Sequence, residues 1–254
     1  MSNAQSPAAI APLAEPIARR LRAAAAPEGL RPGHARMRHA REGSLSLRSL
    51  SFGESLDPSR MAIGPLRALN EEILEPGAAL PELSLAGPEL LLLGLEGEAA
   101  LRSELLPEPS RLRPGRAALL RSGPGAKLRV EALGRGARLL LAWFLPHAPT
   151  PASAQILAMP PREGELCFAG PLPGALPLGA ASCASILRCP SGSRVHLPPA
   201  PGRLMLLMQL QGEARCADAR LSPGDSLEMA RAGPIDFAAV GSAAEALLLD
   251  LPSF

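Results

Sequence analysis

An all-β chain of two tandem sandwiches is what this sequence predicts, and three observations predict it. Short apolar runs recur between Pro and Gly breaks every 8–12 residues or so, the spacing of sandwich and barrel strands. Pro 29 and Gly 24 in 254 residues leave little room for long helices. A turn pattern also occurs once in each half: a Gly-Glu pair (Gly97-Glu98; Gly212-Glu213) followed by Pro-Gly (Pro114-Gly115; Pro223-Gly224). Pro presets φ and Gly supplies the φ > 0 that a type II turn needs. A duplicated sandwich would leave such a repeat.

The elements follow in chain order. Ser2-Asn3-Ala4 has the look of a cloning remnant. Pro16 followed by Ile17–Ala26 predicts a short helix with Pro in its first turn. Residues 1–40 read as a partly helical N-terminal arm, and residues 1 to about 30, with few large apolar side chains, are expected to pack little. Residues 41–146 form the first sandwich, with strands expected at Leu45–Phe52, Leu90–Leu95, Ala117–Leu120 and Leu139–Leu145. Residues 147–164, beginning His147-Ala-Pro-Thr-Pro151, have linker composition. Residues 165–254 form the second sandwich, with strands expected at Leu204–Leu210 and Ala246–Leu251. Propensity opposes these strands, because Val, Ile and Thr are scarce while Leu and Ala prefer helix. The Pro and Gly breaks decide, since they forbid long helices more firmly than Leu discourages strands.

Composition excludes several functions. No apolar run approaches the ~20 residues of a membrane span. Five Phe, one Trp and no Tyr are too few for a base-stacking surface. Lys and Arg (26) nearly balance Asp and Glu (24), so no basic field draws in nucleic acid. The chain is therefore expected to be cytoplasmic, with neither nucleic acid nor membrane as partner. Cys167, Cys183, Cys189 and Cys216 form no C-x-x-C and meet no His at zinc spacing. They read as reduced thiols, with a Cys183–Cys189 disulfide as the alternative. His34, His39, His147 and His196 are scattered and read as structural. Glu71-Glu72-Ile-Leu-Glu75 reads as a solvated acidic loop. Met159, Met205, Met208 and Met229 read as core filler. No phosphate-binding fingerprint or nucleophile elbow is present.

One stretch carries a resemblance. Leu50-Ser-Phe52-Gly-Glu-Ser-Leu-Asp57-Pro-Ser-Arg-Met61-Ala-Ile-Gly64-Pro-Leu-Arg67-Ala-Leu-Asn70 runs on to Glu75-Pro76-Gly77. Gly94-Leu-Glu-Gly97, Arg113-Pro-Gly115, Ser122-Gly-Pro-Gly125 and Ala142-Trp143-Phe-Leu145-Pro146 follow. His196-Leu-Pro-Pro-Ala-Pro-Gly202-Arg203, Leu221-Ser-Pro-Gly224-Asp225 and Leu247–Pro252 complete the set. Over residues 41 to 252 the chain resembles the pirin family of bicupins, in particular its quercetinase-like bacterial members. The resemblance implies two tandem cupin (jelly-roll) sandwiches, the first of which typically holds one metal through three His and a Glu. Counting from the Gly94–Gly97 and Ser122–Gly125 motifs, those four positions fall on Leu83, Leu85, Leu128 and Val130. Alkyl side chains have no lone pair to give a metal. Glu82, Glu89 and Glu131 flank the positions, and Glu131 is expected on the opposite face of its strand. The expectation is a non-catalytic, metal-free protein without a cofactor, binding a small apolar ligand or a protein partner. The alternative is a metal-dependent quercetin 2,3-dioxygenase-like enzyme.

Overall fold

The computed structural model describes residues 29–50, 62–123, 125–179 and 181–253. The predicted helix at Pro16–Ala26 lies outside these residues. Strands β1 (Leu30–Arg31), β2 (Met37–Arg41), β3 (Ser44–Arg48), β4 (Leu66–Leu74), β5 (Leu83–Leu85) and β6 (Glu89–Arg102) come first. Next are β7 (Ser110–Leu112), β8 (Arg116–Arg121), β9 (Ala126–Phe144) and β10 (Ser153–Ala158). The second half contains β11 (Gly164–Ala169), β12 (Cys183–Cys189), β13 (Arg194–Leu197) and β14 (Arg203–Cys216). It ends with β15 (Ala219–Leu221), β16 (Ser226–Ala230) and β17 (Ile235–Pro252).

Two antiparallel sheets result. The first runs β10-β8-β6-β9-β4-β3-β2, with β5 on β9 and β7 on β6. The second runs β1-β16-β14-β17-β12-β11, with β13 on β17 and β15 on β14. Each sheet wraps around its own apolar interior, because its long strands bend. In β6 the register shifts around Gly94–Glu98, and in β14 around Gln209–Glu213. The bends sit on the repeated Gly-Glu pairs. Gly97 has φ +63°, and a Cβ there would meet the Gly136 carbonyl oxygen at 2.0 Å. Gly212 has φ +64°, and a Cβ would meet the Ala243 oxygen at 2.1 Å. Only glycine satisfies both the backbone angle and the close approach at these two corners. The Pro-Gly repeats close matching turns, with Arg116 N donating to Arg113 O at 3.0 Å and Asp225 N to Ser222 O at 2.9 Å.

Three apolar layers hold the molecule together. Leu90, Leu92, Leu120, Leu128 and Leu139 fill the first sandwich, and Leu187, Leu207, Leu227, Phe237 and Leu248 fill the second. Between the halves, Leu91, Leu93, Leu140 and Phe144 meet Phe168, Ile186, Leu206 and Leu249. Alternate residues of β6 thus enter different layers, and both faces of the strand are buried. That explains the unbroken Leu90–Leu93 run, since a strand buried on both faces needs no polar alternation.

Two boundaries read from composition change. The described part of the arm is strand and a short 3-10 turn (Gly33–Ala35), not helix. β1 pairs with β16 of the second sheet, and β2 pairs with β3 of the first. Gly33 N donates to Asp225 Oδ1 at 2.7 Å, while Arg36 reaches Glu71 at 2.6 Å, so this segment straps one half to the other. Polar, Arg-rich composition concealed it because strand ladders are made by backbone groups, which composition does not report. Likewise Ser153–Ala158, inside the expected linker, pairs with β8 over six residue positions.

The Glu71–Glu75 segment is also corrected. Glu71 and Glu72 are buried at 2% and 6% exposure on the interior strand β4, and of the segment only Ile73 and Glu75 are exposed. The expected Cys183–Cys189 alternative fails on geometry. The two cysteines end one strand, and six residues at about 3.3 Å each put them about 20 Å apart.

Candidate functional site

The four alkyl positions converge. Leu83 lies opposite Leu128 in the β5–β9 ladder, and period-two alternation places Leu85 and Val130 on the same face. Leu85, Leu128 and Val130 are buried in the core of the first sandwich, with Leu83 packed at its margin. Glu131, between Val130 and Ala132, is half-buried on the other face. Glu82 lies outside, paired with Lys127 and Arg129 at 2.8 Å each. Glu89 is fully buried but elsewhere. It pairs with Arg121 at 2.7 Å and accepts the Gly179 N–H of the second half at 2.7 Å.

A cavity of about 180 Å³ opens beside Leu83. Leu80, Pro81, Leu141 and Trp143 extend its apolar wall, and β2, β3 and β4 contribute a polar one. The register explains that wall. His39 lies opposite Ser46, Ser46 opposite Glu72, and Arg48 opposite Asn70, so alternate residues of three adjacent strands face inward together. Ser46 Oγ donates to Glu72 Oε1 at 2.9 Å. Asn70 is 5% exposed, and its Oδ1 is buried without a hydrogen-bond partner. An unpaired buried acceptor costs about 1–3 kcal/mol, so a ligand donor here would recover that energy.

Two adjacent glutamates respond to burial in opposite ways. Burial pushes the Glu72 carboxyl up to about 7, against the weaker pull of the Ser46 hydrogen bond and the Arg48 and Arg41 charges. For Glu71, burial also disfavours charge, but hydrogen bonds from Arg36 and Arg138 outweigh it and hold the carboxyl below its ordinary range. Near neutral pH, Glu72 is therefore a partly protonated group that can donate a hydrogen bond into the cavity. A raised carboxyl pKa gives stability that is complete below the unfolded value of about 4.3 and lost as pH rises through about 7. Glu72→Gln should abolish this decline and stabilise the fold by about 3 kcal/mol at pH 8 relative to wild type. Urea unfolding at pH 5 and pH 8 checks it. A wild-type stability that rises over that interval would contradict the assignment.

Sequence reading placed none of this polar wall. Its signals were the single Trp and the Asn70-Glu71-Glu72 run inside an otherwise apolar strand. His39 belongs to the cavity rather than to a detached arm. His34, His147 and His196 are exposed, and His196 pairs with Asp236 at 2.9 Å. Met159, Met205 and Met208 are buried in the apolar layers.

The architecture, two tandem β-sandwiches, is a fold shared with a bacterial pirin. It is similar to the bacterial pirin YhhW of Escherichia coli, solved in complex with nickel(II): TM-score 0.83, 19% identity, 89% of this chain and 99% of that one covered. YhaK of Escherichia coli matches with TM-score 0.67 and 25% identity over 85% of this chain and 94% of that one. A quercetin 2,3-dioxygenase from Acinetobacter baumannii matches with TM-score 0.68 and 15% identity over 85% and 84%. No protein-family model and no curated protein matches the chain. No described helix is long and apolar enough to cross a membrane.

A metal ion does not fit the residues at the positions the pirin resemblance designates. Leu83, Leu85, Leu128 and Val130 offer no donor atom. Among the described residues, no group of three or more His, Cys, Asp or Glu side chains is arranged to hold one.

Proposed function

We propose that this chain is a non-catalytic, metal-free bicupin that binds a small, mainly apolar ligand in the cavity beside Leu83. The unpartnered, buried Asn70 Oδ1 carries the reading, because Asn70 lines a cavity with an apolar side of Leu80, Leu83, Leu141 and Trp143 and a polar side that includes His39, Ser46, Arg48 and Glu72. The ligand this favours has an apolar body and one hydroxyl or N–H donor for Asn70. Size supports a single ring: a cavity of about 150 Å³ encloses benzene. A larger fused-ring flavonol would not be enclosed. The dioxygenase reading rests on fold likeness alone, and fold does not carry function by itself.

Phenol and toluene make the test, being of similar size and differing in the donor. Trp143, the single tryptophan, reports occupancy by its fluorescence. Phenol should bind about tenfold more tightly than toluene, the worth of one satisfied buried acceptor. Asn70→Leu should erase the preference. Equal affinities in wild type, or no saturable change with either compound, would overturn the proposal.

A further inference from the structure

We propose that Cys167 and Cys183 form a reversible redox pair in the second sandwich, closing to a disulfide on reaction with a hydroperoxide. All four cysteines are free, but only these two are part-exposed; Cys189 and Cys216 are buried. β11 and β12 are antiparallel neighbours, and Cys167 lies opposite Ser185. Cys183 is two residues from Ser185 on the same strand face, a diagonal neighbour of Cys167. The register shifts at Phe168, an extra residue that bends β11 locally. Beyond it Gly170, at φ +147°, keeps the place clear, since a Cβ there would lie 3.0 Å from Cys183 Sγ.

Cys167 Sγ donates to the Ala169 carbonyl oxygen at 3.4 Å, which holds it at the bulge, diagonal to Cys183. The neighbouring Cys183, helped by Ser185, lowers the Cys167 pKa despite burial, while Cys167 and burial raise that of Cys183. Exposure divides the roles, since Cys167 lines an open groove that Cys183 does not line. Cys167 supplies the thiolate and Cys183 the resolving thiol. Access is provided by an open groove of about 520 Å³ in which Cys167 lies between Arg162, Glu165, Leu172 and Pro173. Cys216 is the contrast: it is fully buried, and burial pushes its thiol up to about 12.

The chemistry balances in two steps. The Cys167 thiolate attacks the peroxide oxygen, the O–O bond breaks, and the departing alkoxide or hydroxide takes up a proton. Cys167 is then a sulfenic acid. The Cys183 sulfur attacks the Cys167 sulfur, the S–O bond breaks, and water leaves with the Cys183 proton. Two thiols lose two electrons and the peroxide gains them. A thiol reductant reverses the result. The bond would staple β11, the last strand of the second sheet's order, to β12.

The test treats the full-length protein with hydrogen peroxide, blocks remaining thiols and maps the peptides. A Cys167–Cys183 linked peptide, released by dithiothreitol, is expected. Cys183→Ser should instead leave Cys167 as a sulfenic acid that dimedone traps. Cys167→Ser should slow peroxide consumption at least about tenfold. A product in which Cys189 or Cys216 reacts first would overturn the proposal. So would a wild-type protein in which Cys167 and Cys183 both remain alkylatable.

Discussion

Leu83→His, Leu85→His, Leu128→His and Val130→Glu together should turn the first sandwich into a metal-dependent fold. Leu85, Leu128 and Val130 are each at most 1% exposed. Replacing a buried alkyl group with a polar one forfeits about 1.5–3 kcal/mol of burial and adds about 1–3 kcal/mol for the unpaired polar atoms. Three such positions together cost as much as the roughly 5–15 kcal/mol that holds a domain folded. The expected result is a metal-free variant without a cooperative melt, and recovery of that melt on adding nickel(II). Leu128→His alone should cost roughly 3–6 kcal/mol, while Leu83→His, at the half-buried margin, should cost far less. Calorimetry and thermal melting with and without nickel(II) check both. Stoichiometric metal in the wild-type first sandwich, retained against chelator, would sink the non-metal reading.

The second large effect belongs to Glu71. Its carboxylate lies between Arg36 at 2.6 Å and Arg138 at 2.5 Å, and Arg138 also reaches Glu96 at 2.7 Å. Glu71→Ala would leave two part-buried guanidinium groups facing a void. Breaking a buried pair from one side costs about 3–5 kcal/mol. It would also release Arg36, the anchor of the strap that joins β16 of the second sheet to β2 of the first. Because the Glu71 pKa is depressed, its contribution is present above the unfolded value of about 4.3. It is lost as pH falls through the lower folded value. Wild type should therefore lose stability in acid more steeply than Glu71→Gln. A change below about 1 kcal/mol for Glu71→Ala at pH 7 would show that solvent screens the pair as at an exposed site.

Local chemistry alone pointed to the all-β class, the duplicated halves and the corners. Pro and Gly act through their own backbone limits, so Gly97, Gly212, Pro114-Gly115 and Pro223-Gly224 were legible as breaks and turns wherever they sat. The alkyl character of Leu83, Leu85, Leu128 and Val130 was likewise plain, as was the lack of any donor among them. Tertiary structure decided the rest. Strand pairing is made by backbone groups at long sequence separation, so nothing in the Arg-rich residues 30–41 or the Pro-bounded 153–158 announced two sheets waiting for them. The Glu71–Glu75 segment looked solvated because acidic residues usually are. Only cross-strand register could bring Arg36 and Arg138 to one face and Ser46, His39 and the apolar wall to the other. The same register placed Cys167 beside Cys183 across two strands, a neighbourhood that their sixteen-residue separation in the chain does not reveal.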